Sequence, residues 1–209
     1  MKINFYKTND EFGFFSNFYN RLIFVDGLTW KTVEHYFQAN KFEDSILIQK
    51  IRDLNSPMEA AIEGRKKENI IKANWDDIKD EIMYKALKAK FLQHPDLRIK
   101  ILETGNEIIV EHTKNDSYWG DGGDGKGENR LGVLLMKVRD EISDISTDKK
   151  LILPPWIAFP NIDQEDMFWR MGLGENYLYL WSRYYLSLSN KSNYQHLFIP
   201  PDGYEDFYE

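Results

Sequence analysis

Several residue types that define common protein classes are absent or scarce in this sequence. The 209 residues include no cysteine, which excludes disulfides, thiolate catalysis and cysteine-based zinc sites. The four histidines lack the spacing of a metal-binding motif. They are His35, His94, His112 and His196. We therefore predict no metal ion and no other cofactor.

Long apolar runs and an excess of positive charge are also absent. No apolar stretch approaches the length of a bilayer span, and the first residues, Met1 to Tyr6, are too polar for a signal peptide. We therefore expect a cytoplasmic protein with no membrane partner. The net charge of -7 and the pI near 5.2 disfavour binding of long nucleic acid but leave small phosphorylated ligands open.

The composition is that of a folded globular chain. Hydrophobic residues make up 42% and aromatic residues 15% of the sequence, enough for one good core and a small second module. Helix-like and short strand-like patterns predict a helix-rich α+β fold with small β elements. We divide the chain into a single domain over residues 1–145 and a small aromatic-rich C-terminal appendage over residues 146–209.

Local signals place several elements. Leu22 to Trp30 is a predicted hairpin around the Asp26-Gly27 turn. Thr32 is a predicted helix cap, and the capping box from Ser56 to Glu59 starts another helix. Further elements are predicted as strands at 2–6 and 107–111, and as helices from Asp76 or Asp77, from about Leu97 and after Asn129.

The segment from Trp119 to Asn129 holds five glycines and one lysine. Glycine permits positive φ and lets backbone amides approach a ligand, so this glycine loop is typical of a phosphate cradle. Asn129 can then cap a helix whose N-terminus points at the same anion. A mobile acidic turn is the alternative. A calcium loop is a weaker one, because the EF-hand spacing is absent.

Polar and aromatic residues also cluster just after Trp30. Glu34 lies in the first turn of the predicted helix, and Phe37, Gln38 and Lys41 follow it. A carboxylate among rings and amides has its pKa raised by desolvation, which suits a group that holds and releases a proton. The alternative is a carboxylate that only stabilises the helix dipole. Upstream, Asn17 and Phe18 lie in an aromatic run where a polar group often faces a base or a sugar.

These residues carry a resemblance to a known family, in motifs that occur in order over about residues 3 to 143. The motifs include Phe15-Ser16-Asn17-Phe18, Glu34-His35-Tyr36-Phe37-Gln38-Ala39, Asn74-Trp75, Lys90-Phe91, Glu111-His112-Thr113 and Tyr118-Trp119-Gly120-Asp121-Gly122-Gly123. On these motifs the sequence resembles the YbiA/NADAR family. The resemblance implies a YbiA-like single domain and a hydrolase that cleaves an N-glycosidic bond at ribose C1′.

Two substrate classes are implied by the resemblance. One is ADP-ribose attached to guanine in a nucleoside, a nucleotide or DNA, and the other is the early intermediates of riboflavin biosynthesis. We favour ADP-ribose, because five glycines exceed what a single ribose monophosphate needs. A non-catalytic module that binds ADP-ribose or NAD is an alternative, as is an interaction protein that uses the aromatic C-terminal segment. The oligomeric state stays open.

The resemblance also implies roles for individual residues. Glu34 would stabilise an oxocarbenium-like transition state and steer water, while Asp116 and Asp121 would orient a ribose hydroxyl or that water. The proton for the leaving group would come from a second acid such as Asp116 or from solvent. Trp75 would stack on the base or the flavin precursor. With the candidates above, the predicted ligand-binding set is Asn17, Phe18, Lys41, Trp75, Trp119, Gly120, Gly122, Gly123, Gly125, Lys126, Gly127 and Asn129. In that set the glycine amides and the lysine of the glycine loop hold phosphate.

The resemblance ends after about Ser146. The remaining segment is too apolar to be disordered, and Leu178 to Leu188 is a predicted helix with aromatic residues on several faces. We expect a folded appendage, with a lid or specificity element over the active site as the alternative. The run from Pro200 to Gly203 predicts a loose C-terminal end.

Overall fold

The computed structural model describes residues 2–145, 148 and 150–208, so the predicted boundary after residue 145 is followed by positions outside the described residues. The strands are β1 Lys2–Phe5, β2 Ile23–Val25, β3 Leu28–Trp30 and β4 Ile108–Glu111. The α-helices are α1 Val33–Ala39, α2 Ser45–Asp53, α3 Pro57–Glu63, α4 Trp75–Gln93, α5 Pro95–Glu103, α6 Arg130–Ile145, α7 Pro155–Ala158, α8 Gly172–Ser187 and α9 Lys191–Leu197. Short 3₁₀ turns cover Gly13–Phe15, Met167–Arg170 and Glu205–Tyr208. The predicted helix-rich α+β class is confirmed.

The four strands form two small sheets. β1 pairs with β4 in parallel, so that Phe5 lies opposite Glu111 at the end of both strands. β2 and β3 form the predicted hairpin. Its turn residues Asp26 and Gly27 have φ angles of 55° and 75°, the left-handed geometry of a primed turn. No helix in the described ranges has both the length and the apolar character needed to cross a membrane.

Capping residues start the helices around the site. The Thr32 hydroxyl accepts a 3.3 Å hydrogen bond from the His35 amide and begins α1, as predicted. The predicted capping box at the start of α3 is present. α2 was not predicted from the sequence; its cap Asp44 accepts hydrogen bonds from two following amides. Its inner side carries Leu47, Ile48 and Ile51 at helical spacing, so an apolar stripe in the sequence could have indicated this helix.

The core forms where α4 packs against α6. Leu87 and Phe91 of α4 and Leu135 and Val138 of α6 are all fully buried, and the apolar side predicted for α6 is confirmed. α4 begins at Trp75, one residue before the predicted start, and ends before His94. The two helices thus form the surface on which α1 and the loop after β4 lie.

The C-terminal segment packs onto this core. Arg98 of α5, 1% exposed, donates hydrogen bonds to the carbonyls of Leu151 and, at 3.2 Å, Asp148. The Phe168 ring lies 4.3 Å from that of Phe24 on β2. Within the described residues of this segment, no hydrogen bond or ring contact reaches Glu34, Trp75 or Trp119. These contacts therefore give no support to a lid over that region.

The end of the chain is folded, which corrects the predicted loose end. The Tyr208 hydroxyl donates a 2.7 Å hydrogen bond to the Phe198 carbonyl, and its ring lies 5.2 Å from Trp156. The run from Pro200 to Gly203 is therefore a turn that returns the last aromatic residues to the core. The stabilisation from burying those rings exceeds the tendency of the turn-forming residues before them to leave the chain end loose.

Candidate active site

Glu34 is a buried carboxylate with two amide partners. The residue is 2% exposed and lies in the first turn of α1. The Asn17 side-chain amide donates to its Oε2, and the Gln38 amide donates to its Oε1 at 2.7 Å. Burial raises the pKa of Glu34 to about 7, although these hydrogen bonds and the charges of Lys41 and Arg65 oppose the rise. The carboxyl group therefore gains and loses its proton near neutral pH.

The backbone fixes this arrangement. The Asn17 carbonyl accepts a 3.0 Å hydrogen bond from the Glu34 amide, so the turn before β2 is joined to the free N-terminal amides of α1. Gln38 lies one helical turn after Glu34 and shares its face. Gly64 makes room for Gln38, because a Cβ on Gly64 would overlap the Gln38 Oε1. That oxygen has no hydrogen-bond partner among the described residues.

Three aromatic rings form a cluster on the same side of α1. The Phe37 ring lies 5.1 Å from that of Trp75 and 5.3 Å from that of Trp119. We call these three residues the aromatic cluster. The Lys41 Nζ lies 5.6 Å from the Phe37 ring centre and 6.0 Å from that of Trp75. The predicted ligand-binding residues Lys41, Trp75 and Trp119 are thus brought together beside Glu34.

Two cations act on Glu34. Lys41 is half-buried, and burial lowers its pKa, with Glu34 opposing this shift and Arg65 adding to it. Arg65 is exposed at the end of α3 and stabilises the ionised form of Glu34. In the sequence, Arg65 belongs to a basic run with Lys66, Lys67 and Lys72 that predicts either a phosphate contact or a solvated helix end, but nothing there places it beside Glu34. Arg65 acts on Glu34 because the end of α3 lies close to α1, which sequence spacing does not reveal.

Glu111 is a second carboxyl group with a raised pKa. It ends β4, where its backbone amide donates to Asn129 Oδ1 at 3.0 Å and its carbonyl accepts from the Asp121 amide at 2.9 Å. Burial raises its pKa to about 7, and the charges of Asp116, Glu34 and Asp121 add to the rise. The sequence analysis named Glu111 only within a motif. Its position at the carboxyl end of a strand, directly before the glycine loop, is the signal that could have found it.

The four glycine amides that a phosphate cradle would use already have hydrogen-bond partners, which argues against the predicted cradle. The amides of Gly125 and Gly127 donate to the Asp121 carbonyl at 3.1 and 3.0 Å, and the Gly123 amide donates to Asp121 Oδ1 at 2.9 Å. The Gly122 and Lys126 amides also have partners within 3.1 Å. The glycines serve the fold of the loop: Gly122, Gly123 and Gly125 have φ angles of 70°, 76° and 80°, which L-residues rarely adopt.

Asn129 and the start of α6 likewise do not face an open anion site. The Asn129 side chain donates to the Ile109 carbonyl at 2.9 Å and accepts from the Glu111 amide. It joins α6 to β4 instead of capping the helix. The first amides of α6, those of Arg130 and Leu131, donate to loop carbonyls at 2.9 and 3.1 Å. These contacts favour a structural role for Asn129 over the predicted ligand role.

Asp116 and Asp121 organise the loop. Asp116 Oδ1 accepts from the amides of Tyr118 and Trp119 at 2.9 and 2.7 Å, which orients the Trp119 ring. Asp121 is 3% exposed, and its oxygens meet His112 Nδ1 at 2.8 Å and the Thr113 and Gly123 amides. Burial alone would raise the pKa of Asp121, but these bonds hold it below its usual value. These contacts favour positioning roles over the predicted direct contact with ribose or water.

The remaining predicted ligand-binding residues lie at the margin of the site. Phe18 is half-buried, and its amide donates to Ser16 Oγ at 3.2 Å. Gly120 is buried where a Cβ would lie 2.6 Å from the Thr113 methyl group. Lys126 lies at the tip of the loop with its side chain 85% exposed. Within the described ranges, no group of three or more metal-binding side chains is arranged to hold a metal ion.

Comparisons with known proteins show which family the chain resembles. The family model described as the NADAR domain matches residues 4–143. N-glycosidase YbiA of Shigella flexneri serotype 5b (strain 8401) is 54% identical over 141 residues, which are 68% of this chain and 88% of that protein. Riboflavin biosynthesis protein VVA0006 of Vibrio vulnificus (strain YJ016) is 39% identical over 142 residues, which are 68% of this chain and 39% of that protein.

A solved structure is similar over the same region. The NMR structure of the E. coli protein YbiA matches with a TM-score of 0.66 at 50% identity, covering 71% of this chain and 90% of that chain. The match confirms the YbiA-like fold that the motifs implied. The family match covers Glu34, the aromatic cluster and Glu111, and it ends before the C-terminal segment. The chain belongs to the NADAR family.

Proposed function

We propose that the chain is a hydrolase that cleaves the N-glycosidic bond between C1′ of a ribose and an amine nitrogen. The observation that carries the proposal is the buried Glu34 carboxyl group, whose pKa is raised to about 7 beside the aromatic cluster. The relative named N-glycosidase YbiA supports the same activity. Glu34 is the proposed catalytic residue.

Glu34 has the properties that this reaction requires. When the C1′–N bond breaks, its electron pair stays on nitrogen and positive charge develops on the ribose ring. An ionised carboxylate stabilises that charge and accepts the proton of the water whose oxygen bonds to C1′. A pKa of about 7 suits this exchange, because Glu34 is then ionised in a large fraction of molecules at neutral pH.

Glu111 is the proposed acid for the leaving group. The departing nitrogen must gain a proton, and a carboxyl group with a pKa of about 7 still holds one in part of the molecules at neutral pH. The charge of an ionised Glu34 adds to the raised pKa of Glu111, so Glu111 is favoured in the protonated form while Glu34 is ionised. One group can then accept a proton while the other supplies one.

The cations and the aromatic cluster favour a ribosyl-phosphate substrate. Trp75, Phe37 and Trp119 offer ring surface to a planar leaving group. Lys41 and Arg65 offer charge to one phosphate, whereas the amides of the glycine loop are already bonded. We therefore propose ribosylamine phosphates from early riboflavin biosynthesis as the preferred substrates. The Vibrio relative, named a riboflavin biosynthesis protein, supports this class.

Removal of ADP-ribose from guanine is the second candidate. Its diphosphate requires positive charge beyond the site of one phosphate. The exposed side chain of Lys126, at the tip of the glycine loop, is the observation that favours it. An ADP-ribosylated guanine in DNA would have to leave the base stack to meet the aromatic cluster. The argument from the number of glycines no longer applies, because their amides are engaged.

A hydrolysis assay followed by mass spectrometry tests these candidates. The wild-type protein is presented with ribosylamine phosphates of the riboflavin pathway and with ADP-ribosyl-guanosine, side by side. We expect release of ribose 5-phosphate from the former to be the faster reaction. Faster release of ADP-ribose would reverse the order of the two substrates. Absence of both products, with ADP-ribose still bound in a calorimetric titration, would replace the hydrolase with a binding module.

A further inference from the structure

Lys90 is a basic side chain buried in the interior of the protein. It lies on α4, is 0% exposed, and its Nζ is 5.4 Å from the ring centres of both Tyr19 and Phe91. Its Nζ donates a 2.9 Å hydrogen bond to the backbone carbonyl of Ser16. In the part of the chain that the structure describes, no carboxylate forms an ion pair with it.

The carbonyl group that Lys90 binds belongs to Ser16, the residue directly before Asn17. It also accepts a 3.1 Å hydrogen bond from the Tyr19 amide, which closes a tight turn. Asn17, the next residue, is bonded to Glu34 through its carbonyl and through its side-chain amide. A continuous series of hydrogen bonds and one peptide bond therefore connects the Lys90 amine to the Glu34 carboxylate.

Packing alone does not account for a lysine at this position. Burying an ammonium group without a carboxylate is unfavourable, because water is removed and no counter-ion replaces it. Burial, with a further contribution from the charge of Arg21, lowers the pKa of Lys90 to about 7. An apolar side chain of the same length would fill the space beside Tyr19 and Phe91 without this penalty. The contact that distinguishes lysine here is the hydrogen bond to Ser16.

We propose that Lys90 is a positioning residue for the reaction: it fixes the Ser16-Asn17 peptide so that the Asn17 amide stays bonded to Glu34. The inference rests on the proposed function, in which Glu34 is the catalytic carboxylate. Donation by Asn17 stabilises the ionised form of Glu34. Movement of the turn would weaken that bond and raise the pKa of Glu34, leaving fewer molecules with an ionised carboxylate.

Other groups act on the ionisation of Glu34 directly. They are Gln38 of α1, Lys41 after α1 and Arg65 after α3, and the charge of Glu34 in turn acts on Glu111 of β4. Within the described residues, Lys90 forms no hydrogen bond or ion pair with any of these four, and it is not among the charges that act on Glu34. We therefore expect a change at Lys90 to alter the titration of Glu34 through the Ser16-Asn17 peptide.

The kinetic test compares Lys90→Met with Lys88→Met on the same helix. Methionine keeps the length of lysine and removes the amine, while Lys88 is half-buried and pairs with Glu141 at 2.9 Å, a contact unrelated to Glu34. We expect Lys90→Met to keep or raise its melting temperature and to lose kcat by about tenfold or more with KM changed less than about twofold. Lys88→Met should keep kcat. A folded Lys90→Met with wild-type kcat would overturn the proposal.

Carboxyl-carbon NMR of Glu34 provides a readout that does not need turnover. The protein is labelled at glutamate carboxyl carbons, and the Glu34 signal is assigned by its absence in Glu34→Gln. We expect Glu34 in Lys90→Met to titrate about half a unit or more higher than in wild type or Lys88→Met. In an Asn17→Ala background, Lys90→Met should add almost no further shift.

Lys90→Gln, whose side chain is too short to keep the contact, replaces Lys90→Met if the latter does not fold. An unchanged Glu34 midpoint in the folded variant would overturn the role of Lys90 as a positioning residue. A wild-type protein without turnover would refute the proposed function instead, and the titration would then decide the link between Lys90 and Glu34 by itself.

Discussion

The Asn17 side-chain amide donates a hydrogen bond to Oε2 of Glu34, and the Asn17 carbonyl accepts a 3.0 Å hydrogen bond from the Glu34 backbone amide. This double link joins two turns of the chain that are 17 residues apart in sequence. It fixes both the backbone and the carboxylate of Glu34 at the start of α1. The ionisation of Glu34, on which the proposed hydrolysis depends, is set by these contacts together with burial.

The raised pKa of Glu34 predicts a specific dependence of stability on pH. Folding raises this pKa from 4.5 to about 7, so the folded state holds more protons and loses stability as pH rises through that window. Glu34→Gln cannot ionise and escapes this loss. We expect its unfolding free energy relative to wild type to rise by on the order of 2 kcal/mol between about pH 5 and about pH 8. Urea unfolding measures it, and a constant difference between the two proteins would contradict the prediction.

Gly64→Ala should disturb Glu34 through Gln38. The added methyl group would overlap the Gln38 Oε1, and the displaced amide would lose its 2.7 Å bond to Glu34. We expect kcat to fall about tenfold or more, because the carboxylate loses a partner that stabilises its ionised form. Gly105→Ala is the control: Gly105 has a φ of 55° and open space around it, so the change strains the backbone away from the site. Equal kcat losses in both variants would indicate a general loss of folding.

Glu111→Gln tests the proposed leaving-group acid. Glutamine cannot supply a proton, so we expect kcat to fall about 100-fold on a substrate with a basic amine leaving group. A substrate whose leaving group needs no protonation should be cleaved at nearly the wild-type rate. Glu103→Gln, at an exposed position on α5, serves as the control. Equal losses on both substrates would assign Glu111 a role other than proton donation.

We propose that the segment after residue 148 is a packed extension of the NADAR domain. Arg98→Met removes the donors to the carbonyls of Leu151 and Asp148. We expect the unfolding free energy to fall by about 1 to 3 kcal/mol, because the carbonyl of the buried Leu151 loses its partner. Since these contacts do not reach Glu34, kcat of the folded variant should stay near wild type. Arg170→Met, at an exposed position, should change neither quantity, and equal stability for both variants would refute the anchoring role of Arg98.

Local sequence signals predicted much of the fold. The Asp26-Gly27 turn, the Thr32 cap and the capping box at Ser56 each act over a few residues, so the sequence contains all that determines them. α2 was not predicted, although Leu47, Ile48 and Ile51 recur at helical spacing and pack against the core. The packing of the C-terminal rings depends on contacts such as Phe168 with Phe24, which composition does not reveal.

The sequence predicted those candidate site residues that belong to a motif. It did not predict the features of the site that depend on backbone geometry. Residue type and family resemblance named Glu34 and Trp75 as candidates. Glycine content indicates unusual φ angles but not where the amides of the glycine loop point. The sequence offers Arg65 only within a basic run and Glu111 only within a motif, because tertiary packing brings them to Glu34 from α3 and β4.

The most direct measurement compares single-turnover cleavage of a ribosylamine phosphate by wild type, Glu34→Gln and Glu63→Gln. Glu63, the last residue of α3, is also a buried glutamate, 8% exposed, but it forms ion pairs with Lys50 and Lys66. We expect Glu34→Gln to lose about 100-fold or more of the cleavage rate while it still binds the substrate, and Glu63→Gln to cleave at nearly the wild-type rate. Cleavage by a folded Glu34→Gln at the wild-type rate would contradict the assignment of Glu34 as the catalytic carboxylate.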